Sequence, residues 1–129
     1  MKEGSIVQFF VCEECGNLVG ALHFSGAPMT CCSQKMKELT PNTSDGAKEK
    51  HVPVITVEDD LVTVEVGSVP HPMTDAHYIA WVYLQTEKGG QRKNLRPGGE
   101  PKAVFALHDD KAVAAYEYCN LHGLWKKEL

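Results

Sequence analysis

The residues best suited to chemistry stand near the C-terminal end, where Cys119 and His122 lie three positions apart in YEYCNLHGLW. Three further histidines precede them: His51 in EKHVPV, and His71 and His77 in VPHPMTDAH. One histidine alone is usually a surface or hydrogen-bonded residue, but the set says more. Structural zinc sites take four ligands in a tetrahedron. Four imidazoles and one thiolate suit a transition metal that keeps one coordination position open, and an open position on a redox metal is a place for chemistry. His108 lies in a turn between strands, away from this setting, and is left out.

A second set sits in the first quarter of the chain. Cys12 and Cys15 form a Cys-x-x-Cys turn, and Cys31 and Cys32 are adjacent. The turn aims two sulfurs at one point, and Gly16 favours a tight knuckle. Adjacent cysteines cannot bridge each other without strain, yet both can reach a common ion if the backbone bends sharply. Four thiolates make a tetrahedral site for zinc or iron, and spacing does not separate the two. A disulfide-linked module and a thiol redox pair are the alternatives. His23, between the cysteine pairs, reads as a surface or partly packed residue, because the thiolates already complete the site.

The elements that must position these groups fall into two modules. The polar stretch KELTPNTSDGAKEK reads as a linker or loop, which puts a boundary near Leu39. The first module is too small to bury an adequate core and calls for a metal or disulfides. The second reads as all-β. Val52 to Val57 and Leu61 to Val66 are β-branched runs around Glu58-Asp59-Asp60, a hairpin signal. Ile79 to Thr86, a short run from Arg92 to Leu95, Lys102 to Leu107 and Ala112 to Tyr118 follow, the last despite its alanines. Short strands punctuated by glycine and proline predict a sandwich. His51 then begins a strand, His71 and His77 flank a short turn or helical piece, and Cys119 and His122 follow the last strand. Such element ends are where scaffolds place functional groups. Pro70 and Pro72 stiffen the loop of His71. Trp81, Tyr83, Tyr116 and Trp125 are core candidates.

Composition narrows the function classes. The 129 residues are 43% hydrophobic and carry a formal net charge of -4, with the basic residues scattered. That argues against a nucleic-acid binder. No apolar run is long enough to span a membrane. The N-terminus does not read as a secretory signal, so a cytoplasmic protein is expected, where metal ligation is the better default for five cysteines than disulfides.

CEECGNLV with the later CC, then EKHVPVI, VGSVPHPM with a later histidine, and CNLHGLW, resemble the desulfoferrodoxin family, in order and over essentially the whole chain. The resemblance implies a two-iron superoxide reductase. It implies a desulforedoxin-like iron-tetracysteine module over residues 1–39, with Cys12, Cys15, Cys31 and Cys32 on the first iron. An immunoglobulin-like catalytic sandwich would occupy residues 40–129, with His51, His71, His77 and His122 in the plane of the second iron and Cys119 axial. Glu49 and Lys50 match the family's Glu-Lys pair in the loop over the open face, where Glu49 closes on the ferric iron as a sixth ligand. A rubredoxin-like electron donor and a homodimer are implied as well. One position departs: Ser33 follows the cysteine pair where glycine is expected in many relatives.

The chemistry agrees with the resemblance. Ferrous iron with neutral imidazoles and one thiolate carries about one positive charge and favours a small anion at the vacant position. A ligand opposite a thiolate feels its electron donation. Superoxide is small, anionic and one electron short of peroxide. Lys50 would steer it and hold a water that delivers a proton. Two other readings compete. One is a zinc-stapled interaction protein that binds metal without turnover. The other is an electron carrier whose second iron is only a relay.

Overall fold

The structure, a computed structural model, describes residues 7–129. The chain divides into two compact units, the smaller ending at Thr40 and the larger beginning at Pro41.

In the smaller unit, β1 (Gln8–Val11) lies between β2 (Leu18–Ala21) and β5 (Lys37–Glu38), antiparallel to both. A two-residue hairpin joins β3 (Thr30–Cys31) to β4 (Gln34–Lys35). Its loop residues, Cys32 and Ser33, both have left-handed backbones, with φ of 54° and 61°. That is the pattern of a type I′ turn, whose twist matches the flanking strands. The buried core is Phe10, Cys12 and Met36, with Phe24 and Met29 against it. So few apolar side chains cannot hold a fold alone.

The larger unit begins with one helical turn, α1 (Lys48–His51), followed by seven strands. These are β6 (Pro53–Glu58), β7 (Leu61–Val66), β8 (Ile79–Thr86), β9 (Gly89–Asn94), β10 (Lys102–Ala106), β11 (Ala112–Cys119) and β12 (Gly123–Glu128). One sheet runs β10-β7-β6 and the other β12-β11-β8-β9, with every pairing antiparallel. Strand alternation creates the core. In LVTVEV, Val62, Val64 and Val66 are fully buried, while Leu61 and Glu65 face out. Phe105 and Ala103 join them from β10; Ile79, Val82, Leu84, Ala115 and Cys119 come from the other sheet. Two antiparallel sheets over one core make a β-sandwich.

Several expectations are corrected. His51 does not begin a strand: it closes α1, and β6 starts at Pro53. Ala112 to Tyr118 is not followed by the end of the fold, because β12 pairs along its length from Ala114 to Cys119. Its sequence, GLWKKE, lacks alternation, and only Leu124 and Trp125 in it are buried. Strand β9 begins at Gly89 rather than Arg92 and ends at Asn94. The segment from Pro70 to His77 holds turns and bends but no helix. The polar stretch after Met36 is not a free linker. Lys37 and Glu38 form β5, and Asn42 pairs like a strand residue with β12: its N–H donates to Leu124 O (3.0 Å), its Nδ2 to Lys126 O (3.1 Å), and its Oδ1 accepts from Lys126 N (2.8 Å). The alanines of β11 are overruled as helix formers because β8 and β12 supply ladder partners on both sides.

Candidate metal centres

The chain turns sharply after β1. Gly16 N donates to Cys12 O (2.8 Å), Cys12 N donates to Asn17 O (2.8 Å), and Gly16 takes φ of 86°, a conformation that glycine tolerates. This knuckle and the β3–β4 hairpin bring the sulfurs of Cys12, Cys15, Cys31 and Cys32 within 4.8 Å of one another. Four sulfurs about 2.3 Å from one ion in a tetrahedron stand about 3.8 Å apart. Cys15 and Cys31 are 3.6 Å apart and Cys31 and Cys32 4.0 Å, and all are free thiols. Asn17 Nδ2 donates to Cys31 Sγ at 3.5 Å. A backbone hydrogen bond from Cys15 leads in lowering the Cys12 thiol to about 7. The sulfurs of Cys15 and Cys12 push Cys32 up to about 12. A set that yields its first proton readily and a later one reluctantly needs a cation to become fully deprotonated. His23 is exposed, as expected.

The histidines converge in the larger unit. Ligand atoms of His51, His77, Cys119 and His122 lie within 4.8 Å of one another. His71 joins them, its Nε2 3.2 Å from His51 Nε2. Ring centroids of successive pairs are 4.7 Å apart for His51–His71, 4.5 Å for His71–His77, 5.1 Å for His77–His122 and 4.7 Å for His122–His51. His51 and His77 are 6.3 Å apart, so they stand at opposite corners of a square. Neighbouring rings meet edge to face, at 70° to 82°.

The tautomers decide what belongs in the middle. His51 Nδ1 donates to Ala47 O (2.7 Å) and His71 Nδ1 to Pro72 O (2.7 Å), which leaves a lone pair on each Nε2. Those lone pairs face each other, and His122 Nδ1 is 3.1 Å from His51 Nε2. Nitrogens about 2.1 Å from one ion at right angles stand about 3.0 Å apart. Buried His77 Nε2 has no hydrogen-bond partner among the described residues. Burial lowers the pKa of His71 to about 4 and also lowers those of His51 and His77, so the rings are neutral and able to bind metal. Cys119, fully buried in the core, approaches from inside, 3.7 Å from His122 Nδ1. Burial raises its pKa, while backbone hydrogen bonds from Leu121 and His122 pull the other way. The residues fit a metal held by four ring nitrogens and one sulfur.

Packing fixes this frame. Trp125 stacks on His51 (4.9 Å between rings) and donates from Nε1 to His122 O (3.1 Å). Ser44 Oγ also donates to His122 O. A Cβ on Gly46 would stand 2.9 Å from the Trp125 ring, and one on Gly67 2.6 Å from Glu49 O. That carbonyl accepts from Val69 N (2.8 Å) and Ser68 Oγ (3.3 Å), pinning α1 to the turn after β7. Glu49 and Lys50 are exposed on α1. The Lys50 charge contributes to lowering both His51 and His77, so it lies close to the set. The Glu49 carboxylate is not among the clustered ligand atoms. Sequence reasoning did not find Glu117, fully buried, with neither carboxylate oxygen partnered among the described residues, and pushed up to about 9 by desolvation. Its place two residues before Cys119, as the one charged residue in the otherwise apolar run AVAAYEYC, was the available signal. His108 is exposed and apart.

The desulfoferrodoxin family model matches residues 43–128. The chain belongs to the desulfoferrodoxin family. It is 48% identical to a desulfoferrodoxin of Nitratidesulfovibrio vulgaris, covering 94% of this chain and 95% of that relative. It is 40% identical to a superoxide reductase of Pyrococcus horikoshii, over 73% of this chain and 97% of the other. The crystal structure of the superoxide reductase from Treponema pallidum superposes with a TM-score of 0.82 at 45% identity, covering 96% of this chain and all (100%) of that one. The cysteine and histidine sets accord with the two iron centres of a desulfoferrodoxin.

Proposed function

We infer that this protein is a superoxide reductase with two iron centres, converting superoxide to hydrogen peroxide by one-electron transfer. The observation that carries the reading is the square of four imidazoles with a buried sulfur reaching it from the core side. When bound there, iron supplies the electron and a vacant coordination position.

The chain's own residues do the rest. His51, His71, His77 and His122 would hold the iron through ring nitrogens, and Cys119 through its sulfur. Its thiolate donates electron density, tempered by the backbone hydrogen bonds from Leu121 and His122. The side away from Cys119 is left for substrate. Lys50 draws the anion there and holds a water that passes on a proton. Glu49 would supply a further carboxylate ligand once product has left, which requires its side chain to swing inward from its exposed place. Cys12, Cys15, Cys31 and Cys32 hold the first iron in a desulforedoxin-like domain over residues 1–39, and residues 40–129 form the catalytic domain. A rubredoxin-like protein returns electrons, and the chain works as a homodimer. No helix among the described residues is long and apolar enough to cross a membrane, and we place the protein in the cytoplasm.

Adding superoxide to the reduced protein, with peroxide and oxygen both measured, tests the reading. Peroxide without stoichiometric oxygen is expected. Oxygen release in proportion to superoxide consumed would mean dismutation and end the reductase reading.

A further inference from the structure

Of the four clustered histidines, His77 is the one whose buried Nε2 has no hydrogen-bond partner among the described residues. The rings of His51 and His71 are each locked by an Nδ1–H bond to a carbonyl, and Trp125 donates to the His122 carbonyl. Among the described residues, no hydrogen bond holds the His77 ring, and its Nε2 is an orphan. Its position must therefore be set through its backbone.

Asn120 sits between Cys119 and His122 and grips the backbone on both sides of His77. Its Oδ1 accepts from Tyr78 N (2.9 Å), its Nδ2 donates to Ala76 O (3.0 Å), and its own N donates to Tyr78 O (3.2 Å). The grip is needed because regular pairing fails here. Tyr118 faces Trp81 but Cys119 faces Ile79, so a bulge interrupts the β11–β8 ladder just before the ligands. Thr74 holds the other flank: its Oγ1 accepts from His77 N (3.1 Å), and its N donates to His77 O (2.9 Å).

We propose that Asn120 is a positioning residue that ties His77 to the turn carrying Cys119 and His122, so that three ligands move as one unit. The side chain suits this role because one amide offers an acceptor and a donor in fixed relation, as a strand residue would. Aspartate keeps the acceptor but sets an oxygen against the Ala76 carbonyl. Alanine loses both. The proposal rests on His77 being a ligand.

The test uses full-length protein loaded with iron in both centres. Two readouts are followed for each centre: its visible absorption and its rate of iron loss to a chelator. The tetracysteine centre is the internal reference. Asn120→Ala should release iron from the histidine centre about 10- to 100-fold faster, the usual cost of removing an outer-shell partner, and shift that centre's absorption. The tetracysteine band and its rate should not change. Asn120→Asp should fall between wild type and alanine, and it decides the matter if the alanine variant does not fold. Wild-type spectra and rates in the folded variant overturn the proposal. So does equal iron loss from both centres, which would mean general loosening of the fold. His77→Ala separates the two levels: if it leaves the histidine-centre band unchanged, the ligand assignment fails. If it alters the band and Asn120→Ala does not, only the role of Asn120 fails.

Discussion

The two ligand sets solve the same problem by opposite means. Cys12, Cys15, Cys31 and Cys32 span twenty-one positions, from Cys12 to Cys32, and come from two tight local bends in a unit whose core cluster is built on Phe10, Cys12 and Met36. Hydrogen bonds among the sulfurs, led by Cys15, push Cys32 up to about 12, so full deprotonation of the set awaits a cation. The histidine set draws on residues as far apart as His51 and His122, brought together by a sandwich with its own core. Burial holds His51, His71 and His77 toward the neutral form before any ion arrives, and carbonyls fix the tautomers of His51 and His71. The first site is made by its metal, whereas the second is made by the fold and then receives one. This difference gives the small site little freedom to do more than hold an ion, and would let the large one, on the function proposed, keep a coordination position for substrate.

Replacing the ligand that joins the large site to its core should have the largest effect. Cys119→Ser should abolish superoxide reduction, beyond the about 100-fold that outer-shell changes cost, while the tetracysteine absorption persists. Turnover of superoxide by this variant, measured as peroxide formed, would break the distinction between the sites.

Removing iron should come next. Chelation is expected to unfold the smaller unit and leave the sandwich folded, because the first lacks a core and the second has one. Amide exchange resolved along the chain checks this. Continued protection in β1 and β2 of the metal-free protein would show that the cysteine unit also stands alone.

Much of this was legible in the sequence, and the reasons differ by region. Cys12, Cys15, Cys31 and Cys32 are readable because thiols clustered at short spacing have few other uses. The runs Leu61–Val66 and Ile79–Thr86 match the observed strands to the residue, since β-branched and aromatic side chains at buried ladder positions leave little choice. Illegible features depend on partners distant in the chain. GLWKKE becomes β12 only because β11 and Asn42 flank it. Lys48 to His51 forms a helical turn because Gly67 leaves room for the Glu49 carbonyl. The bulge opposite Cys119 and the bonds of Asn120 carry no local signal. Glu117 escaped notice because a charged residue type suggested an exposed position.

A smaller effect is expected at Lys50. Lys50→Ala should slow the reaction with superoxide by about tenfold at low ionic strength and flatten its dependence on salt, as loss of one steering charge would. Pulse radiolysis at two salt concentrations reads this. An unchanged rate removes Lys50 from the mechanism and leaves attraction to the centre itself.

The smallest effect separates the sandwich from its metal. Asp110 accepts from Lys88 N (3.1 Å) and Lys111 N (2.8 Å), and its pKa is lowered, first by a hydrogen bond from Thr86. A lowered carboxyl pKa stabilises the fold when the group is ionised; that contribution is present above the ordinary carboxylate range and lost as pH falls through the lowered value. Asp110→Asn should therefore slightly lower the melting temperature of the sandwich near neutral pH, with the gap from wild type closing in acid. A gap that persists at low pH would show that the turn, not the charge, matters.

Asn42 has a consequence beyond the sites. Strand β12 is the last in its sheet, and a bare outer strand invites a neighbouring molecule to add its own. By engaging the backbone of Leu124 and Lys126, this one side chain and its amide occupy that margin. The molecule is thus guarded against fibril growth on the flank that carries Trp125, the residue stacked on His51.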